Sequence, residues 1–216
     1  MMKDIKCVRG RKLVEKWVAE GEHLHQDFKF TISDARKIAR SVSAFANADG
    51  GRLLIGVKDN GVVAGVRNEE DIYVVEQAAT RYCVPPVEVD FSAYSVDANV
   101  IVIKAEIAPA QERPVEVLEA DGSRKAYFRV ADENIVAHPL MVRAWQNRQP
   151  LSLAADQCVP RLINLLEQYP DGLETRRVAI DLHISTQRAD QLIVQLASAG
   201  VITFVHTRQG FKISLT

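Results

Sequence analysis

The chain has 216 residues, 47% of them hydrophobic and 25% charged, with a formal net charge of −1. These values match a soluble globular average; they argue against disorder or fibrous structure, and against the strongly positive balance of a highly basic nucleic-acid binder. No apolar run approaches the roughly 18 residues of a membrane span, and the start, MMKDIKCVRGRK, has no apolar signal segment, so a cytoplasmic protein without membrane attachment is expected. Cys7, Cys83 and Cys158 lie far apart and outside any CxxC spacing. They are expected to be reduced thiols rather than metal ligands.

Residues 1–16 carry six bases (Lys3, Lys6, Arg9, Arg11, Lys12, Lys16) against two acids (Asp4, Glu15). This reads either as a phosphate-contacting arm or as the solvated face of a first helix whose Leu13, Trp17 and Val18 turn inward. Phe28, Phe30 and Ile32 alternate with polar residues, the period of a half-buried strand. From Asp34 to about Ala48, Ile38, Val42, Phe45 and Ala46 share one helical face, with Ser33 as N-cap and Gly50-Gly51 as the stop. Two strands, Arg52–Lys58 and Val62–Val66, flank Asp59-Asn60-Gly61, and the Asn-Gly pair predicts a tight hairpin. Asn68 and Asp71 can cap a helix running to about Cys83, where Pro85-Pro86 forbids its continuation. Strand-like runs follow near Val87–Val96, Val100–Ile107, Pro114–Glu119 and Arg124–Val130, then a helix around Leu140–Gln146. The expected fold class is α+β.

Residues 147–160, NRQPLSLAADQCVP, contain Pro150 and Pro160 and show no period. Domains are therefore expected at 1–148 and 149–216, with residues 150–216 able to fold alone. In the second, Leu162, Ile163, Leu165 and Leu166 belong to one helix, and Val178, Ala179 and Leu182 mark another. Ser185 can N-cap a third helix whose Ala189, Leu192, Leu196 and Ala199 face inward, and two strands, Val201–Val205 and Phe211–Leu215, close the chain. Helix, helix–turn–helix and β-hairpin is the order of a winged helix.

The segment AFANADGGRLLIGVKDNGVVAGV at residues 44–66 resembles the signature of the Schlafen AlbA-like family, preceded as in that family by an acidic-Phe-Lys motif, here Asp27-Phe28-Lys29. AYFRVADENIVAHP at residues 126–139 resembles the family's closing strand and following loop, with Ala131 where relatives usually have glycine. The resemblance covers roughly residues 15–140. It implies an alternative activity, a metal-dependent ribonuclease in which Glu22, Asp27 and Asp59 would be the catalytic carboxylates holding Mg²⁺ or Mn²⁺. Each acid also has a plain structural reading, since Asp59 sits in a turn and Glu22 precedes a strand. Gly50-Gly51 follow a helix and open a strand, unlike a phosphate loop, so no nucleotide cofactor is expected.

The preferred reading is a DNA-binding transcriptional regulator, a homodimer on double-stranded DNA, with the N-terminal domain contributing nucleic-acid binding or sensing. In the winged helix, Thr186, Gln187, Arg188 and Gln191 would face the major groove, while Arg176, Arg177 and the wing residue Arg208 would contact phosphates. Residues 151–216 hold six bases and six acids, so few phosphate contacts are expected. A protein-binding adaptor is the third reading.

Overall fold

The computed structural model describes residues 5–30, 32–66, 70–147 and 156–216, and the chain divides into two compact units, Met1–Ala137 and His138–Thr216. Residues 148–155 span the expected domain boundary, and Asn68 was the expected helix cap; both lie outside the described residues.

The first unit is α+β. Strand β1 (Cys7–Arg9) leads into helix α1 (Arg11–Glu20), strand β2 (Gln26–Lys29), helix α2 (Ala35–Asn47) and strand β3 (Gly51–Ile55). Helix α3 (Glu70–Gln77) runs into a π-helical turn, Ala78–Tyr82, and strands β4 (Cys83–Val84), β5 (Val89–Asp97), β6 (Val100–Ile107), β7 (Glu116–Leu118), β8 (Arg124–Val130) and β9 (Glu133–Val136) follow. A five-stranded sheet has the order β1-β5-β6-β3-β2, and a four-stranded antiparallel sheet has the order β4-β7-β8-β9. In β3 the strand period sends Leu53 and Ile55 into a core with α2, whereas Leu54 joins Val14, Trp17, Phe28 and Val102 under α1 on the other face. Leu13 is exposed, and Val14 takes its expected inward place.

Three local expectations change. Asp34 rather than Ser33 caps α2, its Oδ1 accepting from the Arg36 and Lys37 N–H groups at 2.9 and 3.3 Å. The predicted hairpin closes beyond β3, with Gly61 N–H donating to the Lys58 carbonyl, Lys58 N–H to the Val62 carbonyl and Ala64 N–H to the Gly56 carbonyl, but its arms form only the Val57–Val63 bridge rather than two full strands. Within β3 itself both edges are taken by β2 and β6 as far as Ile55, and the second arm ends with Val66 N–H donating to the Ile101 carbonyl. The Ala131 position has φ +52° at the first of two residues joining paired Val130 and Glu133, where a hairpin turn ordinarily takes glycine.

The Gly-Gly pair has a steric reason. Gly50 has φ +79°, and a Cβ on Gly51 would lie 2.2 Å from the Phe45 ring. Just before them, Asn47 is 2% exposed and ties the end of α2 to the four-stranded sheet: its Nδ2 donates to the Val115 and Tyr127 carbonyls, both at 2.8 Å, and its Oδ1 accepts from Val115 N–H at 2.8 Å.

The second unit contains helix α4 (Pro139–Gln146), helix α5 (Cys158–Glu167), strand β10 (Leu173–Glu174), helices α6 (Thr175–Leu182) and α7 (Thr186–Ser198), and strands β11 (Ile202–Thr207) and β12 (Gly210–Leu215). The three strands form a sheet of order β10-β12-β11. Leu162, Leu166, Leu182, Leu192, Leu196 and Phe204 all enter its core, as does Leu140 of α4. A fragment 150–216 would leave α4 out. Helix α4 is started by His138, whose Nδ1 accepts from Leu140 N–H and whose ring stacks 5.7 Å from Phe204.

Candidate functional site

Two of the three candidate carboxylates come together. Asp27 lies on β2, 4% exposed, and Glu22 sits in the loop before it, with its Oε1 accepting from Phe28 N–H at 2.8 Å. The two side chains share a hydrogen bond. Burial pushes Glu22 up to about 7, and that hydrogen bond with Asp27 adds to the rise. Burial also works to raise Asp27, but the Glu22 hydrogen bond and the Lys29 and Arg129 charges overcome it, so its pKa falls below the usual carboxylate range. Asp59 stands apart, exposed in the turn after β3.

Cations already surround Asp27. Lys29 Nζ is 2.7 Å from its Oδ2 and Arg129 Nη2 is 3.6 Å from its Oδ1, while Ser41 Oγ donates to Oδ2 at 3.4 Å. Arg129, 3% exposed on β8, also donates to the Gln26 carbonyl at 3.1 Å and to Asn134 Oδ1 at 2.9 Å. Sequence reasoning missed Arg129. Its signal was an arginine inside a strand otherwise reading AYF-V, a charge that a buried strand tolerates only when paired.

Mg²⁺ or Mn²⁺ does not fit this arrangement. Both Asp27 oxygens face the chain's own donors, and among the described residues no three His, Cys, Asp or Glu side chains converge on a common point. His23 and His25, with rings 6.2 Å apart, bond locally instead: His23 Nδ1 accepts from His25 N–H at 3.2 Å, and His25 Nδ1 lies 3.1 Å from the Gly50 carbonyl. What the cluster does physically is pin β2, α2, β8 and the loop before β2 to one another.

In the second unit, Ser185 Oγ accepts from Arg188 N–H at 3.2 Å and caps α7 as expected. Thr186, Gln187 and Gln191 are exposed on this helix, and Ala189, Leu192, Ile193 and Leu196 are buried. Three of the four candidate arginines are held by acids of the same unit. Arg188 pairs with Asp156, Arg177 with Asp181 at 3.1 Å, and Arg176 with Glu174 at 2.6 Å. Asp190 on α7 faces Arg143 of α4 at 3.6 Å, a solvent-exposed pair. Arg208 is exposed in the turn between β11 and β12, with no acid in pairing distance among the described residues.

Among the described residues no helix is long and apolar enough to cross a membrane. The family model described as "Schlafen, AlbA_2" matches residues 22–138. No curated protein matches the chain. Solved structures with similarity include the DIP2311 protein from Corynebacterium diphtheriae, at 19% identity and TM-score 0.45, covering 88% of this chain and 34% of that one. This chain thus spans about a third of that protein's length. The N-terminal domain of a RecG-related protein from Nitrosomonas europaea matches at 16% identity and TM-score 0.43, covering 69% of this chain and 99% of that one.

Proposed function

The chain belongs to the Schlafen AlbA_2 family, whose model spans more than half its length, and from that premise we propose a DNA-binding transcriptional regulator whose C-terminal unit acts as a winged helix. The observation that carries this reading is the start of α7, where Thr186, Gln187 and Gln191 form an exposed polar face on a helix fixed by its Ser185 cap and its buried Leu192 and Leu196. A recognition helix enters the major groove through such N-terminal residues, and glutamine pairs bidentately with adenine. Arg208 in the wing turn supplies a backbone contact. Arg176, Arg177 and Arg188 must each exchange an internal carboxylate for DNA, which lowers their net contribution. Affinity is therefore modest and declines shallowly with salt. The working form is a cytosolic homodimer on a two-fold site, with the N-terminal unit contributing nucleic-acid binding or sensing.

Fluorescence anisotropy on a selected duplex and a scrambled one tests the reading. Gln187→Ala or Gln191→Ala costs about 1–3 kcal/mol on the selected duplex and spares the scrambled one, whereas Arg208→Gln weakens both alike. Superimposable curves for wild type and all three variants would sink the major-groove assignment.

A further inference from the structure

We infer that the cleft formed by the turn after α5, the start of α6 and strand β12 is a phosphate-binding site, a backbone phosphate of DNA lying on Lys212 and, for a nucleotide outside a duplex, its base lying against Tyr169. The inference deepens the DNA-binding reading and rests on it for the source of the phosphate. The cleft has a volume of about 450 Å³, and its lining includes Tyr169, Glu174, Arg176, Arg177, Gln209 and Lys212.

Lys212 carries the argument. It sits on β12 directly opposite Glu174 of β10 and is half-buried, yet its side chain makes no ion pair or hydrogen bond with any described residue. Glu174, the nearest carboxylate by register, is engaged by Arg176 at 2.6 Å. The stem of Lys212 is held in place by packing: a Cβ on Gly172 would come within 3.0 Å of Lys212 Cβ and 3.2 Å of the Ile213 carbonyl, so only glycine lets the stem lie against this turn. With its stem held against the turn, the ammonium of Lys212 has no carboxylate partner and is free to meet an incoming anion. Of the three cations in the lining, Arg176 and Arg177 are paired with Glu174 and Asp181, so Lys212 supplies the unpaired positive charge that an anion would meet. Tyr169, 38% exposed at the rim, offers the flat ring on which a base stacks without sequence preference. Glu174 makes no side-chain cap on α6, which leaves the first N–H groups of that helix available to the same anion.

The test is amide chemical-shift mapping on the full chain with three probes: inorganic phosphate, thymidine monophosphate and a short duplex. The monophosphate and the duplex should both move the amides of Gly172, Arg177 and Lys212. Lys212→Gln should weaken both probes severalfold and lower the duplex salt slope by about 1. Arg176→Gln provides a second variant should Lys212→Gln perturb the sheet. Tyr169→Ala should weaken the monophosphate severalfold and leave inorganic phosphate unchanged; equal loss for both would overturn the base contact. Monophosphate bound in the cleft, with no duplex bound anywhere, keeps the site and removes the DNA-binding reading. Duplex bound through α7 with the cleft amides still, or with Lys212→Gln indistinguishable from wild type, overturns the site and leaves that reading intact. Silence of the cleft toward every probe overturns the site as well.

Discussion

Arg129 Nη2 lies 3.6 Å from Asp27 Oδ1, and the two side chains are 1% and 6% exposed, so a charge pair at the centre of the N-terminal unit joins β8 to β2. Removing one member of such a pair leaves the other uncompensated in a low-dielectric interior. Asp27→Asn is therefore expected to destabilise the unit by roughly 3–5 kcal/mol. Denaturant unfolding measures the change, and a loss under about 1 kcal/mol would show that water or Glu22 takes over the role of Asp27. The substitution is a poor probe of catalysis for the same reason.

Glu22→Gln is the informative partner variant. The folded-state pKa of Glu22, about 7, lies above its ordinary value, so the folded state keeps the proton longer than the unfolded chain does. Stability from this group is present at low pH and is lost as pH rises from about 4 toward 7. Asp27 has the opposite sign, its contribution being lost only as pH falls through a depressed pKa in the acid range. A glutamine retains the acceptor for Phe28 N–H and cannot ionise. Thermal unfolding of Glu22→Gln at pH 5 and pH 8 should show a smaller drop between the two than wild type; an unchanged drop would assign the dependence elsewhere.

Ala131→Gly should raise stability. Alanine at φ +52° bears the left-handed penalty of its Cβ, and relief of that penalty outweighs the added freedom of the unfolded chain by about 0.5–1 kcal/mol. Urea unfolding reads the gain directly, and a lower midpoint for the variant would mean that the Val130–Glu133 turn changes its conformation when glycine is introduced.

The C-terminal fragment should begin at His138. A fragment 138–216 keeps Leu140 in the core and the His138 ring on Phe204, and it should unfold cooperatively. A fragment 150–216 uncovers the Leu140 site and should be less stable by roughly 2 kcal/mol or more, the scale of burying one leucine. Equal melting temperatures by circular dichroism would show that α4 contributes nothing to this core.

Local signals determined the α2 helix, its Gly-Gly stop, the strands β6 and β8, and the Ser185-capped α7, because each depends on period, cap and turn chemistry contained within a dozen residues. Tertiary pairing decided the rest. The Asp59-Asn60-Gly61 turn forms as its chemistry implied, yet β2 and β6 occupy both edges of β3 as far as Ile55, and no local pattern could reveal how short that leaves the hairpin arms. Strands β1, β9 and β10 are too short to show a period and exist because β5, β8 and β12 offer them edges. Glu22 and Asp27 were legible as acids near a motif, but Arg129, more than a hundred residues on, is what fixes Asp27 as a buried ion-pair member rather than an open ligand. In the C-terminal unit the inward residues of α7 followed from helical period, whereas the pairing of Arg176, Arg177 and Arg188 with acids, and the unpaired state of Lys212, came only from which side chains the fold brings within reach. Sequence spacing sets which face of an element a charge occupies; the packing of other elements against that face decides whether the charge is already neutralised.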